Sequence, residues 1–283
     1  QNANVFLDYD QDGILDAGET TGSTDASGVV KLTPTSETYD IVATTDNTTI
    51  DTYSGRTVSS ITLTAPKGAE VVTPLTTLLS DGVNVATASS NVATALGITL
   101  PDGETLLTYD PFATGSAISD ADKLAYEKAT TQVVNVLERL VELAPTADGV
   151  LDAAATAIYD HLAAQGGAVD LSSSAAGSAL AEIGTKFQTA VGDTVVTTAA
   201  LDAKMADLAT VNSAVKSATS ATELQSASNI LELKASGVEI SDMLENLVAG
   251  SDVGTLTALG SYTLDVSSFK ILTGDHSDKF EIS

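Results

Sequence analysis

The sequence contains no cysteine and no tryptophan, and only 4% of its 283 residues are aromatic. The lack of cysteine excludes disulfides, thiolate zinc sites, iron–sulfur clusters and cysteine nucleophiles. Positive charge is also scarce, since 12 Lys and Arg stand against 38 Asp and Glu and the net charge is −26. Such an acidic chain repels phosphate backbones and anionic lipid headgroups, so we expect neither nucleic-acid binding nor membrane insertion.

Long apolar runs are missing as well. No run approaches the roughly 18 residues that a bilayer-spanning helix needs, and the first residues lack the basic start and apolar stretch of a signal peptide. We expect any export signal to lie outside these 283 residues. The hydrophobic fraction of 43% argues against disorder, and the length fits one large domain or two ordinary ones.

Residues 1–66 have the composition of a small antiparallel β domain. They are rich in Thr, Asp and β-branched residues, and clusters of Gly and Asp interrupt the β-branched runs. The turn-forming residues lie between short segments that alternate roughly at period two. The predicted strands are Val5–Leu7, Val29–Thr33, Tyr39–Thr44, Arg56–Val58 and Ile61–Thr64.

Residues 67–250 show helical periodicity and predict a bundle of five or more helices. Thr73-Pro74 is typical of a helix start, a second helix is expected from about 84 to 96 before Gly97, and Ser119 to Asp122 is typical of a capping box. Two last helices are expected at about 222–235 and 241–249. The predicted core positions are Tyr126, Ala129, Val133, Leu137, Leu140, Ala144, Leu151, Ala154, Ile158, Leu162, Leu180, Ile183, Phe187, Val191, Leu201, Met205, Leu208 and Val215.

Residues 251–283 alternate like strands again, at Tyr262–Val266, Phe269–Leu272 and Lys279–Ile282. An isolated hairpin is marginal in water, so we expect this segment to pair with the β domain, with a following domain or with a neighbouring subunit. The predicted fold class is therefore α+β, with a β domain, a helical bundle and a C-terminal β segment.

The strongest local motif is the run from Asp8 to Glu19. It matches the twelve-residue calcium loop, which has acidic residues at positions 1, 3, 5, 9 and 12 and Gly at position 6. Calcium prefers six to eight hard oxygen ligands, and without a cation the carboxylates would repel one another. The predicted ligands of this Ca²⁺ site are Asp8, Asp10, Asp12, Asp16, Glu19 and the backbone carbonyl of Ile14.

The flanks of the loop indicate that it is not an EF-hand. The seven residues before Asp8 are typical of a strand, and the residues after Glu19 (Thr20-Thr21-Gly22-Ser23-Thr24) form helices poorly. We therefore expect the loop in a β context, where it would not act as a sensor that opens a helix pair.

The β region resembles the calcium-binding B-type repeats of bacterial surface proteins, which are prealbumin-like β-sandwiches related to collagen-adhesin B domains. The resemblance rests on the acidic loop, on Thr24 to Gly28 and on Tyr39 to Val42. It implies a sandwich for residues 1–66 and makes Asp25 an extra calcium ligand. Residues 72–79, with Ala95-Leu96-Gly97 and Tyr109 to Phe112, resemble a helical module of large secreted RTX-type adhesins.

Other candidate sites have less support. Asp275 and Asp278, on either side of His276, are candidates for a second calcium site. His161 is expected at the edge of a helical core face rather than as a ligand. No nucleophile elbow or phosphate-binding Gly-Lys loop occurs, so we expect no enzymatic activity.

Two functional hypotheses follow. The first is a calcium-stabilised structural or adhesive module of a bacterial surface protein or surface assembly (a filament or S-layer), secreted and self-associating or joined to neighbouring domains. Its strand-like ends would suit assembly by strand addition. The second is a calcium-dependent glycan- or peptide-binding module without catalysis. The lack of tryptophan makes a sugar-stacking platform poor and disfavours the second hypothesis.

Overall fold

The computed structural model of the chain describes residues 1–50, 60–79, 84–113, 118–224, 226–227, 238–241 and 255–258. The chain divides into two compact units, Gln1–Ala227 and Ser228–Ser283. The described residues of the first unit form a four-stranded antiparallel sheet and five α-helices, with further helical residues at 221–224 and 226–227, which confirms the α+β class. In the second unit the described residues are two antiparallel strands, β5 (Val238–Ser241) and β6 (Thr255–Ala258).

The sheet of the first unit has its first strand in the middle. Its strands are β1 (Asn4–Asp8), β2 (Thr20–Ser23), β3 (Asp40–Thr44) and β4 (Thr62–Pro66), in the order β2-β1-β3-β4. β1 pairs antiparallel with both neighbours, so that Phe6 lies opposite Thr21 on one side and Val42 on the other. The central position explains why the side chains of β1 from Val5 onward are buried.

Three of the predicted strands correspond to β1, β3 and β4, but Val29–Thr33 was predicted wrongly. This segment forms no strand and passes beside β2, where Val30 and Leu32 lie so close to Gly22 that a Cβ there would be 3.0 and 3.1 Å from their methyl groups. β2 itself was missed because Thr20–Ser23 lacks an alternating apolar pattern. The predicted strand at Arg56–Val58 lies outside the described residues.

Threonine hydroxyls occupy the free edge of β4. A 3₁₀ turn at Thr76–Leu78 lies against this strand. It stands where the short helix after Thr73-Pro74 was predicted. The Thr77 hydroxyl accepts a hydrogen bond from the Thr64 amide at 3.0 Å, and the Thr76 hydroxyl donates to the Thr64 carbonyl at 2.9 Å. The two side chains therefore take the place of a neighbouring strand and leave this edge without its central hydrogen-bonding groups.

The helices of the first unit begin and end close to the predicted positions. They are α1 (Val85–Leu96), α2 (Asp120–Leu143), α3 (Val150–Ala164), α4 (Ala179–Val191) and α5 (Thr198–Ser217). Four begin with a side-chain cap that accepts from the third amide beyond it, at Asn84, Ser119, Ser178 and Thr197. α1 ends at Gly97 in the left-handed conformation, as its sequence predicts.

The core of the helices includes a buried polar contact between α2 and α5. Asn212 is fully buried, and its amide donates to the Leu171 carbonyl at 2.9 Å while its oxygen accepts from Asn135 at 3.0 Å. A buried amide that is satisfied in this way fixes one alignment of the two helices, since sliding either of them would break the hydrogen bonds.

Parts of the prediction fall outside the described residues. Residues 221–224 and 226–227 are helical, whereas Ser241, the predicted start of the helix at 241–249, is the last residue of β5. The rest of the helices expected at 222–235 and 241–249, and the strands expected between 262 and 282, are not described. Within the described part of residues 1–66 there is one sheet, so the sandwich stays a prediction. The division into residues 1–66, 67–250 and 251–283 also stays a prediction.

Candidate functional site

The acidic loop connects β1 to β2 in an antiparallel hairpin. Asp8 is the last residue of β1, and Glu19 immediately precedes β2. The pairing of Leu7 with Thr20 brings the two ends of the loop side by side. The expected β context of the loop is therefore confirmed, and neither end continues into a helix.

Asp8 anchors the first half of the loop. Its side chain is 1% exposed, and its two carboxylate oxygens accept hydrogen bonds from the amides of Gln11 and Gly13, each at 2.7 Å. Gly13 has φ of +77°, the conformation that position 6 of a calcium loop requires. The backbone therefore curls around the Asp8 carboxylate.

Glu19 joins the two ends of the loop. One of its carboxylate oxygens accepts from the Tyr9 amide at 2.8 Å and the other from the Asp16 amide at 3.0 Å. The last acidic residue of the motif thus lies beside the first residues of the loop. A residue that binds the same ion as those residues must lie there.

The carboxylates converge in two overlapping groups. Oxygens of Asp8, Asp10 and Glu19 lie within 4.8 Å of one another, and so do oxygens of Asp10, Asp12 and Asp16. Two oxygens on opposite sides of a calcium ion are about 4.6–5.2 Å apart, because each Ca–O distance is about 2.3–2.6 Å. The all-oxygen donor set and its spacing therefore fit a hard divalent cation, and these acidic clusters could hold a metal ion.

Ile14 lies at the outer side of the loop. Its side chain is 63% exposed rather than packed, and its amide donates to an Asp12 carboxylate oxygen at 2.8 Å. The predicted use of its carbonyl as a ligand stays a prediction.

Repulsion among the carboxylates affects Asp16 most clearly. The pKa of Asp16 is raised from its ordinary value, first by the charge of Asp12, then by partial desolvation and by Asp10, Glu19 and Asp8. A cation among these groups would remove the repulsion, so the electrostatics of the loop favour cation binding.

Asp25 is not brought to the loop. Asn4 pairs with Ser23, so Asp25 follows the end of β2 that is remote from the acidic loop. Its carboxylate accepts from the amides of Val29 and Ser27 at 3.0 and 2.8 Å, and these hydrogen bonds lower its pKa. Asp25 belongs to neither group of convergent carboxylates. The hairpin register, which no local motif encodes, places it in a turn of its own.

Two residues near the loop were missed by the sequence reasoning. Asp40 lies directly opposite Asp8 in the β1–β3 pairing, which adds a carboxylate at the end of the sheet that carries the loop. The Tyr9 hydroxyl lies 2.8 Å from the Thr20 hydroxyl and accepts from the Thr35 amide at 3.0 Å. The residue pattern alone contains no signal for either contact, since both depend on register.

The other predicted sites have different outcomes. Asp275 and Asp278 lie outside the described residues. His161, expected at the edge of a core face, is only 5% exposed, and its Nδ1 lies 3.3 Å from a carboxylate oxygen of Glu182. Burial lowers the pKa of His161 and outweighs the attraction of Glu182.

Two further findings concern helix length and likeness to known proteins. In the part of the chain that the structure describes, no helix is long and apolar enough to cross a membrane. No protein-family model, curated protein or solved structure matches the chain.

Proposed function

We propose that this protein is a calcium-stabilised structural or adhesive module of a bacterial surface protein or extracellular assembly. The observation that carries the proposal is the convergence of the loop carboxylates at the junction of β1 and β2. The ligands would be Asp8, Asp10, Asp12, Asp16, Glu19 and the carbonyl of Ile14. The ion would supply positive charge and no catalytic chemistry.

Calcium suits this loop better than magnesium does. The donors are oxygens on a largely exposed loop, and calcium accepts variable geometry, whereas magnesium demands a near-ideal octahedron and keeps its water. Extracellular calcium modules bind with dissociation constants of about 10⁻⁴–10⁻³ M. Such a site would fill outside the cell and remain empty inside it.

Calcium would stabilise the β region because the loop fixes β1 against β2. An ion that binds only the native state adds RT ln(1 + [L]/Kd), about 1–3 kcal/mol at tenfold to hundredfold saturation. The resemblance to B-type repeats supports the extracellular setting and the sandwich form, which would need a second sheet beyond the one described.

The alternative is a calcium-dependent glycan- or peptide-binding module. A groove between α2 and the end of α5 gives it some basis, with Lys128 and Lys216 among its lining residues. Lys216 pairs with Asp170, Lys128 donates to the Ala218 carbonyl, and Asp120 also lines the groove. The groove therefore carries little net positive charge, and the structural role is the better supported of the two.

The test is calorimetric titration with calcium combined with thermal unfolding in calcium and in EDTA. We expect saturable binding and a melting temperature that EDTA lowers. The double substitution Asp12→Asn with Asp16→Asn should weaken binding at least about tenfold and remove the EDTA effect.

A matched control removes the same charge elsewhere. Asp160→Asn with Asp202→Asn changes two exposed residues on α3 and α5 and should leave both measurements unchanged. Absence of binding heat together with a melting temperature that ignores EDTA would contradict the proposal.

A further inference from the structure

β1 lies in the interior of the sheet, and the acidic loop connects it to the rest of the chain that follows. β1 forms hydrogen-bonded ladders with both β2 and β3, and Val5, Phe6 and Leu7 are at most 5% exposed. The next residues along the chain are those of the acidic loop, and residues 10–18 are all exposed. The loop can therefore extend without uncovering any core residue of its own.

The β4 edge of the same sheet is a poor position for an added strand. The central amide and carbonyl of Thr64 are bonded to the hydroxyls of Thr77 and Thr76. On β2, Val30 and Leu32 lie over the face of the strand at Gly22. The interior position that β1 fills offers a strand two hydrogen-bonded neighbours, whereas an edge offers one.

We propose that β1 exchanges between two copies of this chain, so that β1 of one copy pairs with β2 and β3 of the other, and that calcium opposes this exchange. The inference rests on the proposed calcium site. The ion needs Asp8, Glu19 and the carboxylates of the curled loop between them to converge at one point. In the exchanged pair, Asp8 of one copy would lie beside Glu19 of the other, but the extended loop would carry Asp10, Asp12 and Asp16 away from them.

Without a bound ion, repulsion among the loop carboxylates favours an open loop. Five carboxylates lie on twelve residues, and their mutual repulsion falls when the loop extends. An extended stretch of eleven residues spans up to about 36–40 Å, which is enough to reach a neighbouring sheet. Exchange breaks both ladders of β1 and the hydrogen bonds of residues 1–3 and re-forms them in the other copy, and the loop is the segment that must extend.

The absence of cysteine permits a direct test with engineered thiols. Asn4 and Ser23 are register partners on β1 and β2, and the Ser23 hydroxyl donates to the Asn4 side-chain oxygen at 3.0 Å. One chain carries Asn4→Cys and the other Ser23→Cys, and the two are unfolded together, refolded in EDTA or in calcium, and oxidised. Closed monomers keep these thiols in separate molecules, whereas exchange brings them together.

We expect a disulfide between the two different chains in EDTA, with its yield reduced by at least about tenfold in calcium at ten times the dissociation constant, because each exchanged pair gives up two ions. A chain with Asp202→Cys on the exposed side of α5, mixed with the Ser23→Cys chain, measures random collision and should give little product. Adding Asp12→Asn and Asp16→Asn to both chains should lower the EDTA yield, because less repulsion drives the opening.

Two results would overturn the inference: a yield no higher than the Asp202→Cys control in EDTA, or equal yields in EDTA and calcium. Calorimetry on the same cysteine variants separates this failure from that of the proposed function. Calcium binding without exchange removes only the inference, whereas absence of calcium binding removes the proposed function as well.

Discussion

Two ionisable side chains are held in surroundings that disfavour their charged forms. Asp16 has a raised pKa because it lies among other carboxylates, with Asp12 the largest contributor. His161 has a lowered pKa because α3 buries it against α4, where the attraction of Glu182 is partly cancelled by Lys186. A bound cation can stabilise the charged form of Asp16, whereas His161 avoids its unfavourable charge only by losing its proton.

His161 should make the stability of the helices sensitive to mild acid. A histidine whose pKa is depressed by folding binds its proton more tightly in the unfolded chain, so its contribution is complete above the ordinary value of 6.5 and is lost as the pH falls below it. We expect the free energy of unfolding to fall between about pH 6.5 and pH 5, where His161→Gln should show a smaller slope.

Urea unfolding at several pH values in EDTA measures this slope. Glu182→Gln is the matched variant, since it removes the attraction and should lower the pKa of His161 further. Equal slopes in the parent and in His161→Gln would show that His161 does not carry the acid sensitivity.

Side-chain hydroxyls of the 3₁₀ turn link β4 of the sheet to the helical part of the chain. Thr76 and Thr77 lie in the turn, are buried and bond to both polar groups of Thr64. The turn also packs against α3. It therefore links β4 to α3.

Thr77→Val tests this link. Valine keeps the shape of threonine but leaves the Thr64 amide without its acceptor, which costs about 1–3 kcal/mol for a buried donor. We expect the free energy of unfolding to fall by that amount in chemical denaturation. Thr94→Val, on the exposed face of α1, should change it by less than about 0.5 kcal/mol.

Elements with local signals could be predicted from the sequence, and elements that depend on register could not. α1 and α2 have caps at Asn84 and Ser119 and apolar positions at helical spacing, so their limits follow from short-range rules. Thr20–Ser23 is a strand only because β1 lies beside it. The same distinction separates the loop carboxylates, whose spacing is local, from Asp25, whose distance from the loop depends on the hairpin.

At the scale of the whole molecule, the net charge of −26 is the dominant property. Ion pairs compensate it at a few positions, among them Glu142 with Lys204 and Arg139, and Glu37 with Lys67. Most carboxylates remain to repel one another, and a compact chain feels this repulsion more than an extended one does.

Salt should therefore stabilise the protein even without calcium. At an ionic strength of about 1 M the Debye length shrinks to about 3 Å, and long-range repulsion between surface carboxylates is screened. We expect the melting temperature in EDTA to rise with sodium chloride, and millimolar calcium to add a further increase. The added increase should disappear in Asp12→Asn with Asp16→Asn, while the sodium chloride effect remains.

The central place of β1 has a consequence for the order in which the chain can fold. β1 and β2 are close in sequence and can pair as soon as residue 23 is available. The other edge of β1 stays unpaired until β3, which begins at Asp40, has been added. A lone hairpin is marginal in water. A bound ion at its turn would make this hairpin the nucleus on which the later strands assemble, so calcium would set how fast the protein folds as well as how stable it is.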